Sequence, residues 1–462
     1  MAEIHPIDCE KLAELSSNIH GITLCRGDAG YDEVRSVWNG MIEKYPAVIV
    51  QCSGTADVIT AVNFARQENL PLSVKGGGHN VAGKAVCDHG LMIDLSPMNN
   101  VRVDPVARRG RAGGGALWSD FDHEAQAFGL TCTGGVVSST GVAGLTLGGG
   151  IGYLTRTYGL ACDNLLAADM VTAQGELVHT SETENPDLLW ALRGGGGNFG
   201  VVTSLEFKLH QVGPIVATAI AFHPVERALD VLREYRAYTA SAPDEVACYA
   251  MFVSAPPDLP EEYQGSAVLA LVGCYSKDLE DGKQMLAPIA EMGTPIFASV
   301  DAVPYKIWQT AFDAGNPSGA RYYWKSQHLA SLEDELLKIL VRYAADFHGP
   351  YTIIGIEPLG GAQGRVAPDA TAFSHRDVPF SLGIWTGWSD PADDEANVTW
   401  TRAFFGAVKS YGVGVYVNYL GADESDRIDE AYGGNFARLV EIKTQWDPDN
   451  LFRQNQNISP SA

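Results

Sequence analysis

At 462 residues and 49.5 kDa the chain exceeds one ordinary core, and its 46% apolar content is enough to bury two. Fifty-six acidic residues against 32 basic ones give a formal charge of −24, which opposes binding to nucleic acid or to anionic membranes. No basic-then-apolar leader opens the chain and no apolar run approaches a membrane span, so the expectation is a cytoplasmic protein with no membrane partner. Its oligomeric state is not legible. The eight cysteines are scattered without metal-ligand spacing, so they read as small buried hydrophobes and no metal site is expected.

In chain order, residues 1–30 are weakly patterned and Tyr31 to Met41 fits a loop or a short helix. Ala47 to Cys52 predicts a buried strand, residues 56–69 a helix with Val58, Ile59, Val62 and Phe64 as its buried stripe, and residues 70–74 a second strand. This unit runs into Val74-Lys75-Gly76-Gly77-Gly78-His79-Asn80. Glycines let the backbone approach a ligand closely, and free N–H groups in one loop form an anion-binding concavity. The histidine stands apart, because a phosphate loop needs no imidazole. On its own the run reads equally as a tight turn that happens to end in histidine.

Strands are predicted at 90–95 and from 101 to 106, and a helix at 117–128, with Gly114-Gly115 just before it. A second glycine cluster, Ser138 to Leu154, is rich in hydroxyls and nearly free of bulky side chains, which suits close wrapping of a pyrophosphate and a flat ring system. A third, Trp190 to Gly200, follows a short helix begun by Asn185-Pro186. Gly195, Gly197 and Gly200 satisfy GxGxxG, yet a dinucleotide fingerprint must follow a strand and open a helix. This one follows a helix and opens the strand-like 201–207, so a nicotinamide site is not expected.

Beyond about residue 213 the glycine clusters cease. Strands at 216–222, 267–275, 351–358 and 380–388 mix with helices at 226–238 and 332–347, which predicts an α+β unit. Its aromatics, Tyr322-Tyr323-Trp324 and Trp385 to Trp388, read as core or interface before substrate wall. The chain closes on Tyr416-Val417-Asn418-Tyr419, a helix at 435–446 ended by Asp447-Pro448, and Asp449-Asn450-Leu451-Phe452-Arg453.

Taken together and in this order, these motifs resemble the berberine bridge enzyme-like flavoprotein oxidases of the vanillyl-alcohol oxidase / p-cresol methylhydroxylase superfamily. The resemblance spans essentially the whole chain. It implies an α+β, two-domain PCMH-type fold: an FAD-binding domain over 1–213, a substrate domain built on an antiparallel sheet flanked by helices over 214–421, and a segment at 422–462 that returns to the FAD domain. It also implies FAD joined covalently through His79, which accounts for the odd histidine. Lys75, Gly76, Gly77, Gly78 and Asn80 would contact the pyrophosphate, with Gly83 in the same loop region. Ser139, Thr140, Gly144, Gly149, Gly150 and Gly152 would line flavin and diphosphate, Val202 the adenine end, and Asn418 and Asn455 further parts of the cofactor. Relatives that attach flavin a second time use a cysteine eleven residues before the triple glycine. Here Val137 holds that position and Cys132 lies five residues earlier, so no second link is expected.

For the reaction, the resemblance implies hydride transfer to flavin from a C–H beside an O–H or N–H of a small molecule, whether sugar, amine or secondary metabolite. Dioxygen would accept the electrons and leave as hydrogen peroxide. Tyr419 would be the base. A free tyrosine titrates near pH ~10, so a nearby cation or hydrogen-bond donor is expected. Lys325 is the candidate, with Arg376 read rather as a surface ion. Tyr416 could face either the core or the site. A dehydrogenase or an oxidative cyclase on the same site is the alternative. A flavin binder without turnover is a third reading, against which the retention of both His79 and Tyr419 argues.

Overall fold

The computed structural model of the chain describes residues 7–461. Residues 1–6 of the weakly patterned start lie outside the described residues, as does residue 462. The first sheet has the order β1-β2-β4-β3, with β1 at Ile22–Cys25, β2 at Val48–Gln51, β3 at Leu72–Lys75 and β4 at Leu91–Asp94. Strands β2 and β3 both run parallel to β4. Parallel pairing needs a crossover, and helix α1 at Thr55–Gln67 supplies it. Val58, Ala61, Val62 and Ala65 are its buried face, at the i, i+3, i+4, i+7 spacing of a helix packed on a sheet. Ile59 and Phe64, expected in that stripe, lie half-buried at its flanks. The crossover delivers β3 to Gly76, so the first glycine loop leaves the carboxyl end of a parallel strand, where open sheets hold ligands.

Next come β5 (Val101–Asp104), β6 (Arg109–Gly113), β7 (Leu165–Val171), β8 (Leu177–Ser181) and β9 (Val201–Lys208), which form an antiparallel sheet of order β5-β6-β9-β7-β8. Helices α2 (Trp118–Gln126), α3 (Val142–Leu147) and α4 (Pro186–Leu192) lie between its strands in sequence. The second glycine cluster contains α3, and the third occupies the turn from α4 into β9. Helix first and strand second is the reverse of the dinucleotide arrangement.

Apart from the short pair Leu130–Thr131 and His210–Gln211, the remaining strands form one eight-stranded antiparallel sheet. They are β10 (Ile215–Pro224), β11 (Val246–Ser254), β12 (Ala267–Tyr275), β13 (Phe297–Pro304), β14 (Arg321–Leu329), β15 (Ile353–Pro358), β16 (Phe380–Trp388) and β17 (Gly412–Gly414). Their order is β13-β10-β12-β11-β15-β16-β14-β17. Helices α5 (Ala228–Ser241), α6 (Leu279–Glu291), α7 (Asp334–Ala345) and α8 (Asp394–Val408) cover one face, where Cys248, Ala250 and Phe252 of β11 join their core. The alternate residues Ala247, Tyr249 and Met251 face the other way, onto Tyr153 and Leu154 of the second glycine cluster. A strand buried on both faces carries no polar alternation, which is why β11 escapes a sequence reading.

After helix α9 (Phe436–Trp446) the chain turns back to the third glycine cluster. Lys443, fully buried, donates from Nζ to Asp447 at 2.6 Å, to the Asn198 carbonyl at 2.8 Å and to the Phe452 carbonyl at 3.0 Å. Asp447 accepts in addition from the N–H groups of Leu451 and Phe452. One ammonium thereby ties helix, tail and glycine turn together, with every proton used. Removing one partner of a buried pair strands the other charge. Lys443→Ala is therefore expected to lower unfolding stability by about 3–5 kcal/mol in urea titration, and a loss below about 1 kcal/mol would show that the tail is held by other contacts.

Candidate active site

The first two glycine clusters touch backbone to backbone. A Cβ on Gly77 would fall 2.4 Å from the Gly141 nitrogen, and one on Gly141 would fall 2.5 Å from the Gly77 nitrogen. No other residue allows this approach, and a long cleft opens beside it. Gly76, Gly77, Gly78, His79 and Asn80 line that cleft, with Thr140 and Gly144 from the second cluster. Gly196, Gly197 and Asn198 of the third cluster follow, then Val202, and the returning tail adds Asn455 and Gln456. A Cβ on Gly144 or on Gly197 would meet no protein atom within 4 Å, so the cleft is open in front of both.

Other residues expected at the cofactor sit behind this lining. Lys75 turns its Nζ to the Val34 carbonyl at 2.6 Å and lies 3.9 Å from Asp94, away from the cleft. Gly83 packs on Ile42 at φ +65°, and Gly152 on the Gly134 carbonyl. Gly149 and Gly150, at φ +132° and +92°, shape the loop, and the Gly150 N–H donates to the Tyr416 hydroxyl at 2.7 Å. Tyr416 thus faces the glycine loop. Asn418, which does line the cleft, holds the arrangement by donating to that same hydroxyl at 2.7 Å and to the Leu145 carbonyl at 3.0 Å. Ser139 meets His79 instead, its Oγ 2.9 Å from Nε2. The other flank of the imidazole is stacked on Trp38 at 5.1 Å, and burial lowers its pKa to about 4, so the ring is neutral.

At its far end the cleft meets the face of the large sheet opposite its four helices. Tyr419 projects there, and its hydroxyl donates to Glu357 Oε1 at 3.0 Å. The neighbour of the tyrosine is thus a carboxylate, not the expected cation or donor. Burial, and then the Glu357 charge, push the phenol well above its ordinary value. Glu357 is 2% exposed; burial raises its pKa to about 7, against the smaller opposing effect of the Tyr419 hydrogen bond. Lys325 does not reach the cleft. Its neighbour Trp324 lines the cleft, whereas Lys325 lies on the opposite side of β14, with Nζ 2.8 Å from Asp423 and 3.2 Å from Glu424. Arg376 is no surface ion: it is 1% exposed and grips both oxygens of Asp163 at 2.7 and 2.8 Å.

Trp38, Glu357, Trp324 and Trp385 line the cleft without having been singled out for it. One signal for Glu357 was available: it is the lone charge in Ile353-Ile354-Gly355-Ile356-Glu357-Pro358, a strand buried throughout. Trp324 and Trp385, read as core, form wall instead, because the sheet face that carries them is covered by the cleft.

Residues 46–181 match the family described as FAD binding domain, and residues 415–459 the family described as berberine and berberine like. An FAD-linked oxidoreductase of Dictyostelium discoideum is 32% identical over 452 residues, which cover 97% of this chain and 96% of that one. The chain belongs to the berberine-like FAD-linked oxidoreductases. The (R)-6-hydroxynicotine oxidase of Paenarthrobacter nicotinovorans is 29% identical over 468 residues, 96% of this chain and 98% of its own. Among solved structures, 6-hydroxy-D-nicotine oxidase of Arthrobacter nicotinovorans superposes with a TM-score of 0.86 at 27% identity, covering 96% of this chain and 98% of that one. The xylooligosaccharide oxidase of Myceliophthora thermophila in complex with xylobiose does so at 0.84 and 25%, covering 98% and 100%.

FAD fits what this oxidoreductase presents. Paired glycine backbones leave N–H groups for a diphosphate, and the open positions at Gly144 and Gly197 leave room for the body of the dinucleotide. Filling that room should expel the cofactor. Gly144→Val and Gly197→Val are each expected to yield folded protein without FAD absorbance, whereas Gly406→Val, on an exposed helix face with open space in front of it, keeps full FAD content. Full FAD content in both cleft variants would place the cofactor elsewhere.

Proposed function

We propose that this oxidoreductase is an oxidase of a small molecule, with FAD attached covalently to His79, and that residues 1–213 and 422–462 hold the cofactor while 214–421 supply the substrate pocket. The observation that carries the reading is the meeting, in one cleft, of a neutral, partly enclosed histidine with a tyrosine bonded to a buried carboxylate. Ser139 engages Nε2 of His79, which leaves Nδ1 as the nitrogen for the link. Trp38 fixes the ring plane by stacking. A single link is supported by Val137, which lines the cleft, and by Cys132, which is buried in the core beneath it. Bound FAD supplies a hydride acceptor.

A C–H beside an O–H or N–H gives up a hydride readily only if the heteroatom's proton leaves as well. Tyr419 reaches into the cleft, and Glu357 stands behind it as the group that can store the proton near neutral pH. The tyrosine passes its own proton to Oε1 as it takes one from the substrate, so neither a free tyrosinate nor a nearby cation is required. Surrounding indoles exclude water, which keeps the carboxylate weakly solvated and its basicity high. Dioxygen is the electron acceptor in this reading, and hydrogen peroxide its product.

Two measurements test it. After acid precipitation the yellow colour stays with the pellet of the wild type and is absent from that of His79→Ala; colour released to the supernatant by the wild type would remove the covalent link. With Glu357 as proton store, kcat/KM rises with pH through about 7, because only the deprotonated carboxylate accepts. Glu357→Gln is expected to flatten that limb, and Tyr419→Phe to slow flavin reduction by about a hundredfold. An unchanged limb in Glu357→Gln would assign the proton to another group. Peroxide formed in proportion to product marks an oxidase, and its absence a dehydrogenase.

A further inference from the structure

The substrate end of the cleft has a composition that discriminates among chemistries. Four rings follow one another around it: Trp38 to Trp324 at 5.3 Å between centroids, Trp324 to Trp385 at 6.2 Å, and Trp385 to Tyr419 at 5.3 Å. Glu357 Oε2 is buried beside them without a close hydrogen bond, its polar neighbour being the hydroxyl of Ser381 on the paired strand. Lys84, the one lysine or arginine along the whole cleft among the described residues, is tied through its backbone N–H to Asn80 of the first glycine loop and lies outside this group of rings.

Hydroxyl-rich substrates need many polar partners, and this end offers few. Asn316, an amide beside Trp38, is partly used: its side-chain N–H donates to the Phe312 carbonyl at 2.8 Å and its backbone carbonyl accepts from Trp38 Nε1 at 3.1 Å. A buried carboxylate facing π-surfaces, with no basic side chain to neutralise it, lacks a cation. A neutral hydroxyl could donate a hydrogen bond to Oε2 but would leave the charge uncompensated; an organic cation would satisfy the carboxylate and the ring faces together.

We propose that the substrate of this oxidase is a ring-bearing amine that binds as an organic cation, its nitrogen at Glu357 and its flat ring against the Trp324–Trp385 wall. This rests on the oxidase reading above. Turnover takes the hydride from the carbon bearing nitrogen and the nitrogen proton through Tyr419 to Glu357, leaving a C=N bond. One C–H and one N–H bond break, the amine is oxidised to an imine by two electrons, and dioxygen takes up those electrons with two protons and leaves as hydrogen peroxide. The extra proton of the ammonium form is released to solvent before transfer.

The test uses two probes of one shape. Reduced, anaerobic holoenzyme is titrated with 2-phenylpyrrolidine, a cation at neutral pH, and with neutral 2-phenyltetrahydrofuran, binding being read from the quenching of tryptophan fluorescence. The amine is expected to bind at least about tenfold more tightly. Glu357→Gln should bring that ratio close to one, and Trp385→Leu should weaken both probes. Equal binding of the two probes by the wild type would overturn the inference without reference to any variant, as would tighter binding of xylotriose than of the amine. Turnover separates this inference from the reading beneath it. Peroxide from 1-phenylethanol or xylotriose but none from amines leaves an oxidase standing and removes the cation. Preferential amine binding with no bleaching of the flavin by any probe keeps the cation site and removes the oxidase.

Discussion

Everything about the site depends on two peptide backbones approaching where no side chain fits. Gly77 and Gly141 come from different supersecondary units, one at the end of a parallel strand and one at the start of a short helix, and each occupies the space a Cβ of the other would need. Such contact brings backbone N–H groups from both loops to one surface, which suits a diphosphate, with Lys84 the one basic side chain along the cleft among the described residues. A chain with 56 acidic residues can therefore hold a dianionic cofactor. The charge that repels polyanions from the exterior is not felt in the same way at a site built from oriented dipoles.

Charge inside the protein is handled by pairing. Lys443 with Asp447, Arg376 with Asp163 and Lys325 with Asp423 and Glu424 each join segments distant in sequence, or fix a turn on which such a junction rests. Buried pairs of this kind add little net stability over a packed apolar alternative, but they penalise any arrangement that separates them. Asp122 and Glu357 are buried without a cation; Asp122 is satisfied by Thr131 and Gln309 away from the cleft, and Glu357 stands apart by its place on the cleft wall. Its partner is a phenol where the paired carboxylates have a cation. A structural carboxylate carries a lysine or arginine or, like Asp122, a hydrogen bond on each oxygen, so an uncompensated one at a cavity wall marks chemistry.

Much of the cofactor half was legible because its constraints are local. A glycine run, a Pro at a helix start and a largely apolar strand such as Val48–Gln51 each announce themselves within a few positions, and the helix at 55–67, the strand at 201–208 and the tail helix fall where the sequence puts them. What escaped was whatever depends on partners far along the chain. Lys75 sits in the right loop, yet its direction is set by the Val34 carbonyl and Asp94. Lys325 and Trp324 are neighbours, and only the pleat decides which of them meets the cleft. Arg376 looks like any loop arginine until Asp163, far away in sequence, closes on it. The substrate wall was the least legible part, because a tryptophan on a sheet is core or wall according to what covers that face.

The same device that opens the flavin side also serves the opposite wall, to a different end. Trp385 lies across its own sheet because Gly355 of β15 and Gly383 of β16 have no Cβ: one on Gly355 would fall 2.4 Å from Cζ3 of the indole, and one on Gly383 would fall 2.0 Å from Cε2. Glycine in a central strand weakens the sheet and needs a reason, and the reason here is the lying indole. With its ring laid on the backbone, the tryptophan presents a flat face to the cleft where an upright one would present an edge. A flat π-face with a carboxylate nearby is a surface for cations, whereas an edge would offer only apolar contact. Two missing side chains in adjacent strands thus set the surface that this wall presents to the cleft.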